Sequence, residues 1–137
     1  MKSSSASYLM SLLYGARMAR PDVVQQITSI SRHCATWSVL ADKRLHHLMA
    51  YIKATSNLEQ RGVVAKGAAA STIIDLFVDA DLVGDVSSAR STSGGLLRLT
   101  DEATGSYLVT DWWSKRQTAT ARSTAAAEIV SMAVGIE

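Results

Sequence analysis

Apolar residues recur at intervals of three and four through the first part of the chain. Tyr8, Leu9, Leu12, Leu13 and Ala16 share one face and predict a helix over residues 8–18, with Gly15 weakening its later turns. Pro21 breaks that pattern and suits the first turn of a second helix, along which Val23, Ile27, Ile30 and Cys34 recur. A third stripe of Trp37, Leu40, Ala41, Leu45, Leu48 and Ile52 predicts another helix. Its opposite face carries Asp42, Lys43, Arg44, His46 and Lys53 and is mostly basic. Residues 56–71 lose the period; Asn57, Gly62, Gly67 and three consecutive alanines read as a linker or loop.

The period then changes. Ile73 to Val78 reads as a buried strand, and a turn over Gly84 to Ser88 leads to a second strand, Gly94 to Leu99, where Leu97 and Leu99 alternate with Arg98. A five-residue hairpin loop, Asp101 to Gly105, returns the chain along Tyr107 to Trp113, with Tyr107, Val109 and either Trp112 or Trp113 inward. Lys115 and Arg116 are expected to break this strand, and Thr118 to Ala121 to form a short extended piece. Ser123 offers an N-cap to a last helix, in which Ala125, Ala126 and Ala127 favour helix and Ile129, Met132, Ala133 and Ile136 form the apolar stripe. The fold class is therefore α+β: three helices, a linker, a β-meander and a helix, with no internal repeat.

The 47% hydrophobic content supports a packed core, and 137 residues make one ordinary domain or a domain with a helical extension. A net charge of +2 says nothing about nucleic acid. Cys34, the single cysteine, excludes an internal disulfide and points to a reducing, intracellular compartment, cytoplasmic or nuclear. At the end of a helical pattern, it reads as a buried small side chain. No run approaches the roughly 18 apolar residues of a membrane span. The serine-rich start, with Lys2, Arg17 and Arg20 ahead of the first acid at Asp22, reads either as a transit peptide or as a core helix.

Candidate chemistry centres on Asp79 and Asp81, which end an apolar run although Asp is a poor strand former. Alternation sends both to one face, about 7 Å apart. Two such anions point either to a bound cation or to carboxylates that cap a turn. His46 and His47 are adjacent, so on a helix they diverge by about 100° and make a poor ligand pair. They read as solvated surface, with phosphate contact as the other option; Met10, Met18 and Met49 read as core or helix-edge residues. No glycine-flanked serine elbow and no phosphate-cradling glycine loop is present.

Several motifs occur in a recognisable order. Ser11-Leu12-Leu13-Tyr14, Arg20-Pro21-Asp22, Ser31-Arg32 and Tyr51-Ile52-Lys53-Ala54-Thr55 precede Val78-Asp79-Ala80-Asp81 with Gly84-Asp85. Arg90-Ser91-Thr92-Ser93-Gly94, Trp113-Ser114-Lys115-Arg116-Gln117 and Ala127-Glu128 follow. Over nearly its whole length the chain thus resembles the segment of copia-type retrotransposon polyproteins that runs from the end of the reverse transcriptase into the ribonuclease H domain. The resemblance implies a helical connection segment over residues 1–56, a linker over 57–71 and a partial ribonuclease H-like domain over 72–137.

The same resemblance implies that Asp79 and Glu128 are catalytic, metal-binding carboxylates, with Asp81 a weaker third. It further implies Mg2+ as cofactor, and an RNA–DNA hybrid and the rest of the polyprotein as partners. Lys115, Arg116 and Arg122, with Lys43 and Arg44 on the basic helix, are candidate phosphate contacts, against a reading as solvated charges. The sequence departs from the family at Leu82 and Gly95, where aromatics are usual, and at Ala125 and Ala126. The family's later aspartates fall beyond Glu137. Two carboxylates rarely hold two magnesium ions, so the chain alone is expected not to cleave RNA, and its open sheet edges are expected to favour aggregation. The alternative is a non-catalytic module that binds nucleic acid or protein.

Overall fold

The computed structural model describes residues 2–85 and 88–136. The chain divides into two compact units, Met1–Gln60 and Arg61–Glu137.

The first unit is helical. Helix α1 spans Lys2–Ala19, α2 Pro21–Ser31 and α3 Val39–Ala54, with a 3-10 turn at Cys34–Thr36 before α3. A single residue, Arg20, separates α1 from α2. Its N–H donates to Ala16 O at 2.9 Å and closes α1, while Pro21 starts α2 at a position where no donor is needed. Leu9 and Ala16 of α1 pack inward with Val23, Val24, Ile27 and Ile30 of α2 and Ala41 and Leu48 of α3. The Ser38 hydroxyl accepts from the Ala41 N–H at 3.2 Å and caps α3, which leaves Trp37 outside the helix it was expected to join. Leu40 is 58% exposed and Cys34 only half-buried, so the inward stripes are narrower than the spacing suggested.

Arg20 also ties the α1–α2 junction to the end of α3. Its guanidinium makes two bonds to Asp22, at 2.9 and 2.8 Å, and donates to the Thr55 carbonyl and hydroxyl at the end of α3. The Tyr51 hydroxyl adds a bond to Asp22 at 3.0 Å, and the guanidinium lies 5.8 Å from the Tyr51 ring centroid. Hydrogen bonding to Arg20, helped by Tyr51, holds the Asp22 carboxyl below its usual range.

The second unit is an antiparallel three-stranded sheet in the order β1-β2-β3, with β1 at Thr72–Asp85, β2 at Arg90–Asp101 and β3 at Tyr107–Arg116. Helix α4, Thr124–Ile136, covers one face. A short 3-10 turn, Ala68–Ala70, precedes β1. Residues 61–71, expected to be linker, belong to this unit. The Val63 N–H donates to Tyr107 O at 2.9 Å, and the Ser71 hydroxyl donates to Asp101. A Cβ at Gly62 would lie 2.3 Å from Leu108, so the loop needs glycine to lie against β3.

The strands are longer than their apolar runs. β1 is an edge strand, not the buried strand expected: Phe77, on the face away from α4, is 49% exposed, and Ile74, on the same face as Leu76 but not covered, is 68% exposed. β3 continues through Lys115 and Arg116 instead of breaking there, and Thr118 to Ala121 adds no strand. A bulge shifts the β2–β3 register between Leu97 and Arg98, leaving Thr110 unpaired and reversing the alternation of β3. Tyr107 and Val109 therefore share the face opposite α4 with Trp112, which is buried there, while Trp113 turns towards α4. The Trp113 indole lies over Gly95, where a Cβ would sit 2.0 Å from the ring. The glycine that weakens β2 on paper is what admits this side chain.

Helix α4 begins as expected: Ser123 Oγ accepts from the Ala126 N–H at 3.2 Å. Its facing is reversed. Ala127 and Ser131 are buried against the sheet, while Ile129, Met132 and Ile136 are 67%, 54% and 80% exposed. The sheet already presents Leu76 and Val78, which reach to within 3.1 and 2.9 Å of where a Gly135 Cβ would lie. Only small residues on α4 leave room for them.

Candidate functional site

The β1–β2 register runs without a shift from Thr72 to Asp81, so side chains alternate strictly along that stretch. Leu76, Val78 and Ala80 face α4. Asp75, Phe77, Asp79 and Asp81 take the other, open face, with Asp79 and Asp81 exposed. Glu128, in the first turn and a half of α4, reaches the free edge of β1, where its Oε1 accepts from the Ala80 N–H at 3.3 Å. Bond lengths place the Asp79 Cα about 2.4 Å from that nitrogen, which holds Glu128 Oε1 within about 6 Å of the Asp79 Cα. The two acids thus meet at one peptide of β1, Glu128 from the helix side and Asp79 on the open side. The Asp81 carboxylate turns to Gly84, where a Cβ would lie 2.3 Å from its Oδ2.

Beneath this point lies a polar cluster that the apolar pattern did not reveal. The pentapeptide Arg90-Ser91-Thr92-Ser93-Gly94 forms the start of β2, with Ser91 and Ser93 fully buried under α4. The Gln117 amide donates to Ser93 Oγ at 3.0 Å and to the Ala127 carbonyl at 2.9 Å, and the Gln117 N–H donates to Ser91 O at 2.8 Å. Ser131 Oγ donates to the Asp79 carbonyl at 2.7 Å. Four short polar residues thus tie β1, β2, the end of β3 and α4 together next to Asp79. The Gln117 Nε2 and the Ser93 and Ser131 hydroxyls are paired here, whereas Gln117 Oε1 is buried without a partner among the described residues; the paired groups fix how α4 approaches the sheet. The signal for Ser91, Ser93 and Gln117 lay in the motifs; Ser131 had none.

Among the candidate basic contacts, those of the sheet unit do not gather. Lys115 and Arg116 are consecutive in β3 and point to opposite faces, and Arg122 is exposed in the loop before α4. The open face carries instead a ladder around Arg98. Its Nε donates to Asp75 at 2.9 Å, Thr100 donates to the same oxygen at 2.7 Å, and its guanidinium lies 4.8 Å from the Phe77 and 5.1 Å from the Tyr107 ring centroids. Hydrogen bonds from Thr100 and Arg98 hold the Asp75 carboxyl below its usual range.

A two-metal site needs several carboxylates around ions roughly 4 Å apart. Among the described residues, no group of three or more His, Cys, Asp or Glu side chains comes together. Asp79 and Glu128, which approach β1 from different sides, do not by themselves match the donor set for a pair of magnesium ions. No helix among the described residues is long and apolar enough to cross a membrane. No protein-family model matches the chain, and neither does any curated protein or solved structure.

Proposed function

We propose that the chain is a segment of a copia-type retrotransposon polyprotein, spanning the end of its reverse transcriptase and part of a ribonuclease H-like domain. Its second unit associates with RNA–DNA hybrid without cutting it. The observation that supports this reading is the meeting of distant motif segments. Val78-Asp79-Ala80-Asp81, the buried serines of the pentapeptide, Gln117 and Ala127-Glu128 lie far apart in sequence and converge on one stretch of β1. Asp79 and Glu128 themselves approach that stretch from different sides of the sheet.

Two acids at one peptide supply a start to metal-dependent phosphodiester chemistry, not the full donor set. The full chain is therefore expected to bind a labelled RNA–DNA hybrid with an affinity that falls as salt rises, and to leave it intact in magnesium. Lys115→Ala and Arg122→Ala each flatten the salt slope by about one unit. No binding to hybrid above that of an unrelated duplex of equal charge sinks the proposal. Magnesium-dependent cleavage lost in Asp79→Asn shows instead that this pair of acids suffices.

A further inference from the structure

The helical unit holds a groove of about 620 Å³ between α2 and α3 that the reading above does not use. Its floor is apolar, made by the buried side chains of Val23, Ile30 and Leu48. One wall is cationic. Lys43 and His47 stand one helical turn apart on α3, and Arg44 beside them stacks above Leu48, so their heads line the groove together. Gln26 and Ser29 of α2 face them with further donors, and Tyr51 closes one end with a ring 42% exposed. The only acid in the lining, Asp22, is already held by two bonds from Arg20 and one from Tyr51.

We propose that this groove binds an organic phosphate monoester with a flat, apolar body, of which a nucleoside monophosphate is the simplest example. Charge complementarity chooses the anion. A guanidinium fork, an ammonium and an imidazole within about one turn of α3 offer donors from several directions, which suits the three outer oxygens of a phosphate better than the two of a carboxylate. The apolar floor and the Tyr51 ring suit a base or other planar group, and the volume lies within the usual range for small-ligand sites. This assignment does not rest on Asp79, Glu128 or the sheet unit, since every residue involved lies before Gln60, and it gives Lys43 and Arg44 a small anionic ligand in place of the hybrid phosphates the sequence offered them.

Calorimetric titration of the full chain with adenosine monophosphate, adenosine and inorganic phosphate at low salt tests it. Adenosine monophosphate is expected to bind once per chain with a Kd below about 1 mM, and more tightly than either of its parts. The double change Lys43→Ala with Arg44→Ala removes two exposed charges and is expected to weaken it at least about tenfold while leaving helical circular dichroism unchanged. Ser29→Trp fills the groove and abolishes binding; should that variant misfold, the double change decides alone. The proposal is overturned if adenosine monophosphate fails to bind or if adenosine binds as tightly. Equal binding by the double variant, or displacement by an oligonucleotide without terminal phosphate, overturns it as well.

Discussion

Helices α2 and α4 are of similar length and each lays one face on its own unit, yet they bury different side chains. α2 turns Val23, Val24, Ile27 and Ile30 inward, so its core contact is made of branched residues meeting other helices. α4 turns Ala127 and Ser131 inward and leaves Ile129, Met132 and Ile136 in solvent. A helix on helices must fill the space between two cylinders, whereas α4 lies on strands whose own Leu76 and Val78 already fill it. Small residues there set distance, and the Ser131 and Gln117 bonds set direction. A hydrophobic stripe marks a buried face only when the partner leaves room for large side chains.

That contrast can be broken at named positions. The largest effect is expected for Ile27→Ala, which leaves a cavity in the helical unit and costs about 3 kcal/mol by urea unfolding. Ala127→Leu, a gain of apolar surface, is nevertheless expected to destabilise the sheet unit by about 2 kcal/mol, because Ala127 is fully buried beside Gln117 and a larger side chain forces α4 off the sheet there. A stabilising Ala127→Leu would show that the helix can retreat freely, and would end the account of its facing.

Acid sharpens the comparison within the sheet unit. Asp101, buried at the end of β2, accepts from Ser71 and Thr104, and these bonds hold its carboxyl below the ordinary value of 3.8. A depressed folded value means that this contribution is complete above the unfolded value and is lost as pH falls through the folded one. Unfolding midpoints should therefore hold steady down to about pH 4 and drop below it. Asp101→Asn should flatten part of that drop, leaving the share due to Asp75. An unchanged profile in the variant would remove Asp101 from the explanation. The smallest effect is expected for Ile129→Gln: within about 0.5 kcal/mol of the parent, since the side chain is already in water.

Much of the chain was legible from local pattern. Pro21 and Ser123 marked helix starts correctly, and the switch of period near residue 72 placed the sheet after the helices. These signals act within a few residues through backbone donors, caps and alternation, so neighbours in sequence are enough to read them. Facing, by contrast, was set by contacts between segments distant in the chain. The extra residue at Thr110 reversed β3, so that the two tryptophans lie on different faces from those simple alternation would give. The pentapeptide proved to be strand, with serines buried because Gln117 and α4 lie over them. The approach of Glu128 to the Asp79–Ala80 peptide depends on the angle at which α4 crosses the sheet. That angle follows from which side chains on two distant segments are small enough to touch, and no window along one segment contains both.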